Sequence, residues 1–169
     1  MEEYIPPSTK ILFQSDKEYH VFLSFKGEDV RKNLVDHLHE ALTTAGLHVF
    51  LDTHKLEKGD MIWSSLERAI GSSAIRIPIF STGYADSAWC LKEAATMVNT
   101  QGLIIPLFYD VEPTHVRYPV KDSSPYKQAF EKHSGHPDDR YTREEIEGWK
   151  VALEKICSRS GWSMDITGG

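Results

Sequence analysis

Cysteine, long apolar runs and surplus positive charge are all scarce in this sequence, and each scarcity removes a class of protein. The 169 residues include two cysteines, Cys90 and Cys157, too few and too far apart for a disulfide framework or a thiolate zinc site. No apolar run approaches the roughly 20 residues that cross a bilayer. Between Met1 and Asp16 only Ile11-Leu12-Phe13 stands where a secretory signal needs an apolar core. A reducing setting, cytoplasmic or nucleocytoplasmic and without membrane attachment, is therefore expected. Lys and Arg number 19 against 25 Asp and Glu, a net charge of −6, which argues against a general nucleic-acid binder. There is no G-x-G-x-x-G and no P-loop, and no His-x-x-x-His, so neither a dinucleotide dehydrogenase, a P-loop NTPase nor a metal site finds support. A composition of 40% hydrophobic and 26% charged residues suits one globular domain.

Two periodicities alternate along the chain. Tyr19 to Phe25 is a short β-branched and aromatic run, followed by Val30, Leu34, Leu38, Leu42 and Ala45 near every fourth position. Glu28 or Asp29 can cap that first helix, and Gly46 stands where a left-handed C′ residue is wanted. Leu47 to Leu51 reads as a second strand. A polar loop, Asp52 to Gly59, leads to a helix from about Asp60 with Ile62, Leu66 and Ile70 on one face. Ala74 to Phe80 is a third strand, a further helix starts at Asp86 or Ser87 and runs to about Thr100, and Leu103 to Tyr109 is a fourth strand. Pro78 and Pro106 lie inside these runs and predict a bulge or gap at each. Ser124-Pro125 resembles an N-cap and N1 pair opening a helix through Phe130. Thr142 to Glu145 fits a capping box, with Ile146, Trp149, Leu153 and Ile156 as the helical stripe beyond it. Gly161 to Ile166 is one candidate for the fifth strand.

Strands separated by helical crossovers imply an α/β domain, a five-stranded parallel sheet with helices on both faces. The flavodoxin-like order 2-1-3-4-5 suits this length. The domain is expected over residues 18–163, with 1–17 a flexible N-terminal extension and 164–169 a tail. In that topology ligands bind beyond the carboxyl ends of strands one and three. The crevice is then lined by Lys26, Glu28, Asp29, Arg31, Ser87 and Trp89, with Asp52 to Gly59 nearby. A phospho-receiver is excluded: Glu28 and Asp29 come one step late for its acidic pair, and strand three ends Ile79-Phe80-Ser81 without an acceptor aspartate.

Within that region Glu93 is the sharp candidate. Trp89 and Glu93 lie one helical turn apart, while Leu91, Ala94, Ala95 and Val98 can face the sheet, which turns Glu93 toward the mouth of the crevice. By residue type alone, a helix glutamate is ordinarily a solvated one and a first-turn tryptophan a packing residue. Cys90, beside them, reads as a buried structural thiol.

Four motifs in order resemble the plant Toll/interleukin receptor (TIR) domain. They are Tyr19 to Arg31 (YHVFLSFKGEDVR), Leu56 to Gly59 (LEKG), Phe80 to Glu93 (FSTGYADSAWCLKE) and Ile105 to Arg117 (IPLFYDVEPTHVR). Such domains usually open nucleotide-binding, leucine-rich-repeat immune receptors, share the flavodoxin-like sheet, and in many cases cleave NAD⁺. The resemblance implies that Glu93 is catalytic and that Phe25, Lys26, Arg31, Ser87 and Trp89 surround the dinucleotide. It implies NAD⁺ or NADP⁺ as substrate rather than cofactor. It also implies self-association, and association with other TIR domains, through Asp36 and His37 on the first long helix together with the last helix, Thr142 to Arg159. The chain departs from the family's pattern in three places. Lys26 replaces a more usual arginine, Ala94 replaces a larger aliphatic residue, and Arg117 to Tyr126 is longer and lacks a glycine before the aromatic. Those departures are what a non-catalytic TIR scaffold would also carry.

Overall fold

The computed structural model describes residues 17–51, 60–135, 140–158 and 162–164. Six strands make one parallel sheet: β1 (Tyr19–Ser24), β2 (Val49–Leu51), β3 (Ser73–Phe80), β4 (Leu103–Ile104), β5 (Leu107–Tyr109) and β6 (Trp162–Met164). β4 and β5 both pair with β3, so five strand positions run β2-β1-β3-β4/β5-β6, the flavodoxin-like order expected. The fifth strand, left at Gly161 to Ile166, is β6, and its last residue lies one beyond the expected domain end. Lys17, assigned to the N-terminal extension, donates from Nζ to the Gly71 carbonyl at 2.8 Å. The loop Asp52 to Gly59 and Met1 to Asp16 lie outside the described residues.

The expected fourth strand is two strands because of its proline. Ile75 pairs with Leu103 before the break and Ile79 with Leu107 after it, the same register on both sides. Pro78 and Pro106 therefore face each other across a single gap. Each lacks the N–H that a central ladder position needs, and placing the two together confines the loss to one site. Pro78 keeps its place on the other side, opposite Ser24 of β1.

β1 is covered on both faces, which is why Val21 to Ser24 are all buried. Strand alternation sorts them: Val21, Leu23 and Phe25 pack toward the first helix, while Phe22 packs against the opposite layer. That first helix, α1, consists of Glu28–Val30, a π-helical turn Arg31–Val35, and Asp36–Thr44. Its N-cap is Gly27, at φ 103, and not Glu28 or Asp29; a positive φ is what only glycine adopts without strain. The π turn inserts one residue, so Val35 is fully buried beside Leu34, Leu38 and Leu42, which pack against the same core as expected, and Ala45 is exposed. Gly46 closes the helix at φ 86, with the Leu47 N–H returning to the Leu42 carbonyl at 3.1 Å.

The opposite layer holds α2 (Asp60–Gly71), α3 (Ala88–Asn99) and α6 (Arg143–Cys157), with the short α4 (Pro113–Arg117) and α5 (Lys127–Ser134) beside them. Thr142 makes the capping box with Glu145, and Ile146, Trp149, Leu153 and Ile156 are buried as the stripe implied. α5 starts later than expected, because Ser124 does not cap it. The Ser124 hydroxyl accepts from Tyr126 N–H at 3.1 Å and donates to the His115 carbonyl at 2.7 Å, making a turn two residues before the helix.

The two helices next to β1 are anchored by Arg76 of β3, which has no exposed surface. Its Nε donates to Ile70 O at 2.9 Å, Nη1 to Met97 O at 3.3 Å and Thr100 O at 3.0 Å, and Nη2 to Gln101 O at 2.6 Å. One guanidinium thus holds carbonyls at the C-terminal ends of both α2 and α3, where the helix dipoles favour a cation. Burial lowers its pKa from the ordinary arginine value. Gly102 is required beside it, since a Cβ there would stand 2.7 Å from Arg76 Cζ. Arg76→Ala should destabilise the chain by about 3 kcal/mol or more, from stranded carbonyls and a cavity together. Arg76→Lys should recover only part, because one ammonium cannot reach carbonyls in three directions. Urea unfolding measures both; a midpoint unchanged in Arg76→Ala would show that the helix ends do not need this cap.

Candidate functional site

The segment after β3 turns back toward β1 through a 3₁₀ turn, Tyr84–Asp86, and enters α3 at Ser87. Ser87 is the N-cap: its Oγ accepts the Cys90 N–H at 3.2 Å. The Cys90 thiol in turn donates to the Phe25 carbonyl at 3.4 Å, tying the first turn of α3 to the end of β1. One turn later stands Glu93. Its Oε2 accepts a short hydrogen bond from the Ser24 hydroxyl, and Ser24 Oγ lies 2.8 Å from the Tyr84 hydroxyl. Ser24, Tyr84 and Glu93 all have 0% exposure.

That burial corrects one expectation. Glu93 does not stand at the mouth of the crevice; it lies beneath the surface, between α3 and β1. The reason is the alternation of β1: Ser24 shares a face with Phe22, so its hydroxyl turns into the α3 layer and meets the carboxylate there. A buried ionised carboxylate is costly unless hydrogen bonds satisfy it, and the Ser24 donor serves that need. Burial pushes the Tyr84 phenol well above its ordinary pKa, with Cys90 and Glu93 adding to the rise and the Ser24 hydrogen bond opposing it, so the phenol remains a neutral donor.

The crevice beyond the strand ends is present, but it opens toward the other layer. A cleft of ≈ 320 Å³ is lined by Lys26, Glu28, Val30, Ser81, Tyr109 and Asp110 among others. Of the expected lining residues Lys26 and Glu28 lie in it, whereas Arg31, Ser87 and Trp89 do not. Arg31 sits on the π turn of α1 with its Nε 3.8 Å from Asp36 Oδ1, so a residue expected at the dinucleotide pairs with one expected at the self-association surface. Phe25 is buried on the α1 side. Trp89 packs edge-to-face against Trp63 of α2, ring centroids 5.2 Å apart. Lys92 Nζ stands 5.8 Å from the Trp63 ring and 5.6 Å from Tyr141, completing an aromatic and cationic cluster there. His37 and Asp36 are exposed on α1.

The structure therefore brings Glu93 together with Ser24 and Tyr84, which sequence reasoning did not single out. A signal for Ser24 was available: it is a hydroxyl residue closing an otherwise apolar strand. Tyr84 carried none, because its partner is set by the 3₁₀ turn. Neither thiol is a nucleophile candidate. Cys90 is fully buried, and burial pushes the Cys157 thiol up to about 12, with Arg117 opposing. Among the described residues no three His, Cys, Asp or Glu side chains gather as metal ligands, and no helix is long and apolar enough to cross a membrane.

Comparison with known proteins places this geometry. The sequence profile of the TIR domain matches residues 18–167. The TMV resistance protein N of Nicotiana glutinosa is 39% identical over 147 residues, covering 85% of this chain and 12% of that protein. Disease resistance protein RPV1 of Vitis rotundifolia is 37% identical over 86% of this chain and 10% of its own length. This chain thus spans about a tenth of the length of these relatives. Among solved structures, the TIR domains of the activated Roq1 resistosome, which directly recognises the pathogen effector XopQ, superpose with a TM-score of 0.71 at 38% identity, covering 89% of each chain. With the profile spanning nearly the whole chain, and with relatives and a solved fold in agreement, this chain belongs to the TIR domain family.

Proposed function

We propose that this chain is the TIR signalling domain of a cytoplasmic plant immune receptor, which self-associates and cleaves NAD⁺ or NADP⁺ at the nicotinamide–ribose bond to release a nucleotide signal. The observation that carries the catalytic part is the Glu93 carboxylate, held by Ser24 at the carboxyl end of β1 one turn after Trp89. The immune and assembly parts are supported by relatives named as disease resistance proteins and by the resistosome that contains the similar TIR domains.

The chemistry asks little more than one carboxylate. As the glycosidic C–N bond breaks, its electron pair passes to the nicotinamide ring, which leaves neutral and needs no general acid. Positive charge develops on the ribose, and a fixed carboxylate stabilises it in the transition state. Water, or a hydroxyl of another nucleotide, then takes the vacated carbon. Lys26, in the cleft, supplies a cation for a phosphate but not the bidentate fork of an arginine.

A second reading, a non-catalytic TIR scaffold acting only through homotypic assembly, is favoured by the burial of Glu93. A carboxylate with no exposed surface cannot touch a substrate. The enzymatic reading therefore includes a rearrangement that opens a path from the crevice to Glu93 where Ser24 holds it, and assembly is the event that would select it.

Nicotinamide release from the concentrated, crowded chain separates the two readings. Glu93→Gln keeps size and removes charge, so it should lower kcat at least about 100-fold while the circular dichroism spectrum is retained; a folded variant as fast as wild type would end the enzymatic reading. Lys26→Ala should raise KM and leave kcat nearly unchanged, since a phosphate contact acts equally on ground and transition states. Assembly has its own measurement. His37→Ala should show less self-association than wild type in light scattering, and an unchanged mass at high concentration would refute the α1 contact.

A further inference from the structure

Ser24 is the last residue of a strand whose other buried members are apolar, and it has no exposed surface of its own. A hydroxyl so placed has to spend its proton and its lone pairs on buried partners, and it has two: Glu93 on α3 and Tyr84 on the 3₁₀ turn. The Tyr84 hydroxyl in turn has a second acceptor, the Cys90 carbonyl at 3.1 Å. Three chain segments, from β1, the turn before α3 and α3 itself, are joined by this row of oxygens.

We propose that Ser24 and Tyr84 are positioning residues for Glu93, a hydroxyl relay that fixes the carboxylate and lets it carry either charge state. The proposal rests on the reading of Glu93 as the residue that acts on substrate. Proton accounting gives the relay its two settings. An ionised Glu93 can only accept, so Ser24 donates to it and Tyr84 donates to Ser24. When water attacks the ribose carbon, its oxygen forms the new C–O bond and its proton passes to Glu93, while the broken C–N bond leaves its electron pair on nicotinamide. A protonated Glu93 can donate to Ser24, Ser24 to Tyr84, and Tyr84 to the Cys90 carbonyl. Each hydroxyl donates once at either setting, and what reverses between the two is the direction of the row. The later loss of that proton to solvent resets the row.

The relay also explains why the carboxylate sits against the core instead of in the cleft. A glutamate side chain has three freely turning bonds, and an exposed one would sample many rotamers. The Ser24 donor selects one position for Oε2, at the cost of burial.

The test uses the whole chain and two substitutions that change volume little, Ser24→Ala and Tyr84→Phe. Nicotinamide release should fall about 10- to 100-fold in kcat for Ser24→Ala, the loss of one charge-assisted hydrogen bond, with KM within about twofold of wild type. Tyr84→Phe should lose less, because Ser24 still donates to Glu93. Thermal unfolding close to wild type in both separates positioning from collapse. With ¹³C-labelled glutamate, the Glu93 carboxyl resonance, assigned by its absence in Glu93→Gln, should move in Ser24→Ala and to a smaller extent in Tyr84→Phe. Wild-type kcat in Ser24→Ala, beside an inactive Glu93→Gln, overturns the relay and leaves the enzymatic reading standing. A faster Ser24→Ala also overturns it, since the hydroxyl would then restrain Glu93 and not position it. If wild type and Glu93→Gln release nicotinamide equally, the enzymatic reading falls and takes the catalytic role of the relay with it. A carboxyl resonance unmoved in Ser24→Ala overturns the hydrogen-bonded row itself.

Discussion

A guanidinium sealed from water can stay charged only if every direction it points in offers an oxygen, and Arg76 finds four backbone carbonyls at the ends of two helices. Those carbonyls belong to groups that a helix cannot satisfy for itself. The arrangement sets where α2 and α3 end relative to β3, and by the rigidity of a helix it sets where α3 begins. At that other end, Ser87 caps the helix and the Cys90 thiol reaches the Phe25 carbonyl. Glu93 lies between these two anchorages, so its meeting with Ser24 follows from constraints far apart in sequence. Neither the site nor the layer around it can be understood from α3 alone.

What the sequence disclosed, and what it hid, divides along the same line. Features settled by neighbours along the chain were legible: the Thr142 capping box, the left-handed Gly46, the stripe of α6, and the alternation that implied the parallel order. Glu93 and Trp89 were also legible, because a four-residue separation places them on one side of a helix whatever surrounds it. The π turn in α1 was not, since a periodicity of 3.6 counts Leu34 as a core position and leaves out Val35, which the inserted residue buries fully beside it. Gly27 as the N-cap was hidden by two acids that looked like better caps. The role of Arg76 was hidden too, because the carbonyls that receive it come from residues 70, 97, 100 and 101. The depth of Glu93 was hidden for the same reason: it depends on a hydroxyl 69 positions away.

The two faces of the sheet hold the charged groups of the site apart. The cation of Lys26 opens into a cleft on the α1 side, while the carboxylate of Glu93 lies within the α3 side, with the end of β1 between them. Residues 24, 25 and 26 therefore contribute, in succession, the contact to the carboxylate, a core side chain and a cleft cation. Such close succession makes the end of β1 the hinge of any account of the site. A shift of the strand end by one residue would exchange the faces and separate all three.

That kind of slip is what the facing prolines guard against. In the observed register Pro78 and Pro106 share one gap, and the ladder on either side is whole. Moving one strand by a single residue would place each proline opposite a neighbour still seeking a donor, turning one interruption into two. Misaligned pairings between β3 and the β4–β5 segment are thereby penalised twice over, while the native one is penalised once. The prolines thus act as a proofreading key during folding, spending a little of the sheet's strength to make its wrong alignments weaker still.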